Sequence, residues 1–129
     1  MKNINKMIIL ATMLIITSIS VFAEVGEDVS IINLISNPEQ YNGKKVIITG
    51  YLNMEFEENG IYLSKEDYIN SIYKNGLWCN IDTGKHSKFN KKYVVMEGIF
   101  NARMTGHMGL WSGSIEDISR VWEPIKGKE

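Results

Sequence analysis

The stretch Lys44-Lys45-Val46-Ile47-Ile48-Thr49-Gly50-Tyr51-Leu52 decides the fold of this 129-residue chain. From Lys44 to Glu57 an inward set of residues alternates with a mainly polar outward set, and the inward set is Val46, Ile48, Gly50, Leu52, Met54 and Phe56. Alternation with a period of two over this length predicts a long β-strand with one buried face. Asn59-Gly60 then predicts a tight turn, because both residues tolerate a positive φ, and Ile61-Tyr62-Leu63 is the return strand.

A second stretch repeats the pattern of the first. Val94-x-Met96-x-Gly98-x-Phe100 matches Val46-x-Ile48-x-Gly50-x-Leu52, a lysine pair precedes each, and a fourth strand is predicted over residues 93–103. Glycine inside a strand is unfavourable unless a bulge, a bend or a close backbone approach requires it. Two such glycines on the inward face predict strands that curl, and with five strands the expected architecture is a small closed barrel.

The rest of the pattern supplies the other elements of a single domain. It predicts a third strand over residues 77–82, a fifth over residues 110–118, and short helices over residues 30–37 and 65–73. Residues 83–92 are polar and predict a loop. The core of the domain is expected within about residues 30–123.

The first 23 residues have the layout of a secretory signal peptide. Lys2 and Lys6 give a positive start, an apolar run from Met7 to Ile16 follows, and Val21-Phe22-Ala23 presents a cleavage site. A transmembrane anchor would need roughly 18 uniformly apolar residues, and Thr17 and serines dilute the end of this run. The sequence therefore predicts a signal peptide over residues 1–23 and one exported domain over residues 24–129, periplasmic or secreted, with no stable membrane span after signal removal.

The segments that shape this fold also carry a resemblance to a known fold family. Gly43-Lys44-Lys45-Val46-Ile47-Ile48-Thr49-Gly50, Asn59-Gly60-Ile61-Tyr62-Leu63 and Lys92-Tyr93-Val94-Val95-Met96-Glu97-Gly98 resemble the strands of an OB-fold, a five-stranded Greek-key barrel. With the signal peptide, the chain resembles the small exported bacterial OB-fold proteins, most of them without an assigned activity. The resemblance covers nearly all of the mature chain. It implies a mainly β, OB-fold-like barrel with one or two short helices.

The sequence departs from the OB-fold pattern at one place. OB-folds usually have a helix between their third and fourth strands, and residues 83–92 are too short and polar for a good one. The helix over residues 30–37 or the helix over residues 65–73 is expected to close the end of the barrel instead.

Charge disfavours a nucleic-acid partner. Loss of Lys2 and Lys6 with the signal peptide changes the formal net charge from −1 to −3. Proteins that bind single strands follow the backbone with a positive groove, and the basic cluster of Lys85, Lys88, Lys91 and Lys92 is interpreted as a solvated loop. Single-stranded nucleic-acid binding is left as a weaker alternative that depends on fold analogy alone.

Residues with catalytic or metal-binding chemistry do not form a known constellation in the sequence. His86, His107, Cys79 and Asp82 lack the spacing of zinc sites, and neither paired carboxylates, a phosphate-binding loop nor a nucleophile elbow is present. Cys79, the single cysteine, alternates with Leu77 and Ile81 on the inward face, which predicts a buried and inert thiol. The sequence therefore predicts no enzyme, no metal and no cofactor.

Aromatic residues on the outward face allow two interpretations. Tyr51, Tyr62 and Trp78 have the parity opposite to the core, and ligand-binding OB-folds stack bases or sugars on rings of this face. The alternative, which we favour, is that a short helix covers the rings and forms a second small core.

The segment from Gly106 to Ile115 is the other candidate site, because it concentrates glycines with His107, Met108 and Trp111. In one interpretation His107 donates a hydrogen bond to a ligand while Trp111 stacks on it. In the other, Met108 and Trp111 plug the end of the barrel. The predicted function is a non-catalytic binding module for a small molecule, glycan or peptide, and the alternative is a module that docks onto an envelope protein.

Overall fold

The computed structural model describes residues 3–5 and 23–127. The predicted signal peptide, residues 1–23, therefore lies outside the described residues except for residues 3–5 and 23. None of the helices in the described ranges is long and apolar enough to span a membrane.

Strands dominate the described chain. They are β1 (Glu27–Asp28), β2 (Lys45–Asn53), β3 (Gly60–Tyr62), β4 (Gly76–Cys79), β5 (Lys92–Asn101) and β6 (Ser114–Trp122). Between residues 23 and 127 the α-helices are α1 (Ile31–Ser36), α2 (Pro38–Tyr41) and α3 (Lys65–Ile69), and single 3-10 turns occupy Tyr73–Asn75, Ser87–Phe89 and His107–Gly109.

Strands β2 to β6 form a closed barrel. β2 pairs antiparallel with both β3 and β5, β3 pairs with β4, and β6 closes the ring by pairing antiparallel with β5 and parallel with β4. This is the strand order of an OB-fold, so the predicted mainly β, five-stranded barrel is confirmed. β1 adds a short parallel pairing to β2, with Glu27 opposite Val46.

Gly50 and Gly98, the two glycines inside the long strands, lie close against neighbouring chain segments. A Cβ atom on Gly50 would lie 2.5 Å from the carbonyl oxygen of Tyr62, and one on Gly98 would lie 2.6 Å from Cγ2 of Ile115. The register between β5 and β6 also shifts between Glu97 and Ile99. A close backbone approach, one of the three reasons for a glycine inside a strand, is therefore present at both positions.

Helix α1, and not α3, supplies side chains to the barrel core. Ser30 caps α1 by accepting a hydrogen bond from the N–H of Asn33 at 3.2 Å, and Ile31 and Leu34 are fully buried in the core cluster. α3 has no buried residue. Of the two helices predicted as candidates to close the barrel, α1 is the one whose residues enter its interior.

Several predicted boundaries need correction. β2 ends at Asn53, and Phe56 is 92% exposed although the alternation placed it on the buried face. β4 ends at Cys79 rather than at residue 82, α3 ends at Ile69 rather than at residue 73, and β6 begins at Ser114 rather than at residue 110. The last shift arises because Leu110 has helical backbone angles and Gly113 has a φ of 143°, so the chain cannot be extended before Ser114.

Candidate binding site

Two loops of the barrel meet and form a cleft between them. The β2–β3 loop (residues 54–59) and the β5–β6 loop (residues 102–113), together called the loop pair here, are joined by a contact of 3.4 Å between Nε2 of His107 and Oε2 of Glu57. The loop cleft between them has a volume of about 300 Å³. It is lined by Glu55, Phe56, Glu57 and Glu58 from the first loop and by His107, Met108, Leu110 and Trp111 from the second.

Both loops have a strained residue beside the cleft. Glu57 has a φ of 59° and Met108 a φ of 55°, which is left-handed backbone that side chains other than glycine rarely adopt. Each such residue costs on the order of 1 kcal/mol and persists where the surroundings impose it, often at functional sites. Gly106 and Gly109, with φ of 71° and 66°, allow the sharp path around Met108.

Two of the large apolar side chains that these loops expose to solvent lie at the cleft. Phe56 is 92% exposed and Met108 is 79% exposed, and both line the same cleft. Neither side chain adds to the packing of the barrel, so burial in the folded domain does not explain them. Contiguous exposed apolar surface marks interaction sites, and these two side chains share one cleft.

Phe56 has the carboxylates of Glu55, Glu57 and Glu58 as its neighbours in the chain. Tyrosine hydroxyl groups donate hydrogen bonds to two of them. The Tyr73 hydroxyl donates a hydrogen bond of 2.8 Å to Glu58 Oε1, and the Tyr68 hydroxyl donates one of 2.9 Å to Glu55 Oε1. The bond to Glu58, with burial, raises the pKa of Tyr73. The carboxylate of Glu57 contacts the imidazole of His107, an ion pair only when that ring is protonated.

Lys91 contacts residues at the start of the β2–β3 loop. Its ammonium group contacts Asn53 Oδ1, Glu55 Oε1 and the Tyr68 hydroxyl, and it lies 3.9 Å from the centre of the Tyr68 ring. The ammonium of Lys91 and then the hydroxyl of Tyr68 hold the pKa of Glu55 below its usual value. Lys91 is exposed, as the interpretation of the lysine cluster expects, and it also ties the segment before β5 to β2 and α3.

Helix α3 covers two of the three outward aromatic residues. Tyr51 is 5% exposed and Tyr62 is 1% exposed, and the Tyr68 ring of α3 lies 5.7 Å and 5.8 Å from their ring centres. Burial also raises the pKa of Tyr62. A ligand cannot stack on these two rings while α3 is in place, and the rings form a small aromatic core on this face.

Trp111 lies behind the loop cleft as a plug. It is fully buried, and its ring packs edge-on against Tyr73 at 4.9 Å and against the half-buried Trp78 at 5.0 Å between centres. His107 is different, because its side chain is 42% exposed. The structure thus separates the two predicted partners, with Trp111 in the packing of the domain and His107 at the surface of the cleft.

The single cysteine lies in the core of the barrel. Cys79 is 1% exposed, as its inward parity predicted, and burial raises the pKa of its thiol. Within residues 3–5 and 23–127, no three His, Cys, Asp or Glu side chains are grouped so that they could hold a metal ion.

Phe56 and Met108 are the cleft residues that the sequence interpretation misplaced. The plug interpretation is confirmed for Trp111, which is fully buried, and is wrong for Met108, which is 79% exposed. Phe56 continues the alternation of β2 and was therefore assigned to the core, although its neighbours Glu55, Glu57 and Glu58 are a signal that the strand has ended. Met108 stands among glycines, a setting that equally suits a plug or an exposed loop tip.

Comparison with known proteins adds no argument about the fold or the site. No family model matches the chain, and no curated protein matches it. A solved structure of an OBody (AM3L15) bound to hen egg-white lysozyme is similar to it, with 15% sequence identity, coverage of 68% of this chain and 87% of that chain, and a TM-score of 0.42. The fold assignment rests on the strand pairing, and the site rests on the geometry of this chain.

Proposed function

We propose that the mature domain is an exported, non-catalytic binding module that takes a polypeptide partner at the loop pair. The observation that carries the proposal is the exposure of Phe56 and Met108, 92% and 79%, on two strained loops that line one cleft. The signal-peptide pattern of residues 1–23 supports export to the periplasm or the exterior.

The form of the cleft supports a polypeptide over a small molecule or a glycan. Its volume of about 300 Å³ lies at the lower end of the range for small-molecule pockets. Of the rings that would stack on a sugar, Tyr51, Tyr62 and Trp111 are buried and Trp78 is half-buried. Aromatic residues and methionine are enriched at protein interfaces, and methionine adapts to different surfaces.

Two other classes of function have less support. The carboxylates of Glu55, Glu57 and Glu58 beside the cleft would repel a phosphate backbone. The buried thiol of Cys79 is inaccessible to a substrate.

Site-specific photocrosslinking in the producing cells tests the proposal. A benzophenone amino acid is placed at Phe56 in one variant and at Ile32, which is 57% exposed on α1, in the control variant. We expect a discrete crosslinked polypeptide from position 56 that is absent from position 32. The double variant Met108→Ser with the crosslinker at Phe56 should reduce its yield. Identical crosslinking patterns at the two positions would overturn the proposal.

A thermal-shift screen of sugars, nucleotides and metal ions supplies the opposing test. The variant Phe56→Ser/Met108→Ser is compared with Ile32→Ser/Ile125→Ser, whose two parent side chains are 57% and 97% exposed away from the cleft. We expect none of these compounds to stabilise the wild-type protein. A stabilising compound whose effect the double variant removes would establish a small-molecule site in place of a polypeptide site.

A further inference from the structure

The loop cleft combines an apolar pair with an excess of negative charge. Glu55, Glu57 and Glu58 line it together with Phe56 and Met108. Lys91 compensates the charge of Glu55, whereas Glu58 is held by a neutral hydroxyl, that of Tyr73.

The charge of Glu57 is also incompletely compensated. Its partner His107 carries charge only when protonated, and the carboxylate side chain of Glu57 is 54% exposed. Glu57 and Glu58 are therefore available to a cation that approaches the cleft from solvent.

We propose that the partner segment is a basic peptide in which a lysine or arginine stands beside an apolar residue. This inference rests on the proposed function and specifies the chemistry of its partner. The apolar side chain packs against Phe56 and Met108, and the neighbouring cation pairs with Glu57 and Glu58. Charge complementarity of this kind sets partner choice and association rate more than total affinity.

Arginine fits the cleft better than lysine does. Its planar guanidinium can bind a carboxylate through two parallel hydrogen bonds and can stack on an aromatic face. Phe56 presents such a face at 92% exposure, and Glu57 is the next residue along the loop.

The same charges argue against other occupants of the cleft. An anionic membrane surface attracts basic protein segments, and the acidic rim of Glu55, Glu57 and Glu58 would be repelled by it. An acidic peptide would meet the same repulsion. A second copy of the chain would place these carboxylates against one another if the contact were symmetric.

Fluorescence anisotropy with three short labelled peptides tests the inference. The protein used is the mature chain, residues 24–129, because it contains every core residue in the described range. The first peptide alternates arginine with leucine, the second alternates glutamate with leucine, and the third alternates arginine with serine. We expect only the first to bind measurably. Its affinity should fall severalfold as salt rises from low to high concentration, because screening weakens exposed charge pairs.

Variants of Glu57 and Glu58 in the β2–β3 loop separate the contribution of charge to peptide binding from that of apolar packing. Glu57→Gln/Glu58→Gln keeps an oxygen that can accept the hydrogen bond of Tyr73, and it should weaken binding of the first peptide about tenfold. Glu57→Lys/Glu58→Lys should transfer preference to the glutamate peptide. The control Ile32→Ser/Ile125→Ser should bind as the wild type does, and thermal melts verify that every variant is folded.

Three outcomes would overturn the inference. In the first, the arginine–leucine and glutamate–leucine peptides bind equally well. In the second, the arginine–leucine peptide binds, but neither salt nor Glu57→Gln/Glu58→Gln changes its affinity. In the third, none of the three peptides binds. With a discrete crosslink at Phe56, these results reject the basic partner and leave the binding module in place. Loss of that crosslink rejects both proposals. A concentration-dependent dimer that Phe56→Ser/Met108→Ser converts to a monomer would identify a second copy as the occupant.

Discussion

The backbone of Gly106 lies directly against the indole ring of Trp78. A Cβ atom built on Gly106 would lie 2.7 Å from Cε3 of that ring, and Gly106 has a φ of 71°. Trp78 in turn packs on Trp111 at 5.0 Å between ring centres. The contact seats the β5–β6 loop on β4, so the position of Met108 in the loop cleft depends on the absence of a side chain at residue 106.

Substitution of Gly106 should therefore destabilise the domain more than substitution of its neighbour Gly109. Gly106→Ala combines a clash with Trp78 and a strained φ, and we expect a loss of about 2–4 kcal/mol in the free energy of unfolding. Gly109 has a similar φ of 66°, but its nearest neighbour would be Thr105 Oγ1 at 3.5 Å, so Gly109→Ala should cost only about 1 kcal/mol. Urea denaturation measures both, and equal losses would contradict the role given to Trp78.

Truncation of Trp111 tests the plug directly. Because the side chain is fully buried between Tyr73 and Trp78, Trp111→Ala should lower the free energy of unfolding by about 3–5 kcal/mol. Trp111→Phe keeps most of the ring contact and should cost less. Thermal and urea unfolding provide the measurement. A Trp111→Ala variant as stable as the wild type would remove the plug and restore Trp111 as a candidate ligand-binding residue.

The barrel could be predicted because its determinants are local in sequence. The alternation around Gly50 and its repeat around Gly98 lie within single strands, and the Asn59-Gly60 turn joins neighbouring ones. The serine that caps α1, Ser30, likewise stands next to the helix that it starts. Features that depend on residues close together in the chain can therefore be predicted from the sequence.

The binding site could be predicted only in part, because its determinants are distant in sequence. His107 was identified from its glycine-rich segment, but its contact with Glu57 joins loops 50 residues apart. The contact of Lys91 with Glu55 spans 36 residues, and the left-handed backbone of Glu57 has no signature in residue type. The prediction therefore extended the strand through Phe56, although β2 ends at Asn53.

Buried Glu97 should make the stability of the domain depend on acid pH. Its side chain is 5% exposed. The carboxylate accepts hydrogen bonds from Arg120 at 3.2 Å, from Ser119 at 2.8 Å and from the backbone N–H of Gly26 at 3.1 Å. Chiefly through Arg120, these contacts lower the pKa of Glu97 to about 2. A depressed folded-state pKa gives stability that is present above the unfolded value of 4.5 and lost as pH falls toward about 2.

Glu97→Gln measures this contribution. The pKa shift corresponds to about 3 kcal/mol at neutral pH, so the variant should be less stable by roughly that amount at pH 7 and show a flatter decline between pH 5 and pH 2. Glu39→Gln is the control, because Glu39 forms an exposed pair with Arg103 at 3.1 Å and such pairs contribute little. Chemical denaturation over this pH range provides the comparison, and parallel curves for wild type and Glu97→Gln would contradict the assignment.

Cys79 should react with thiol reagents only when the domain opens. It is 1% exposed between β3 and β6, its sulfur lies 3.9 Å from that of Met96, and burial raises the pKa of its thiol. Since the thiolate is the reactive form, we expect labelling at neutral pH to be roughly a hundredfold or more slower than in denaturant and to follow the opening rate. Labelling kinetics followed by mass spectrometry, with Cys79→Ser as the blank, measure this. Rapid labelling of the native protein would show an accessible, activated thiol and reopen an enzymatic role.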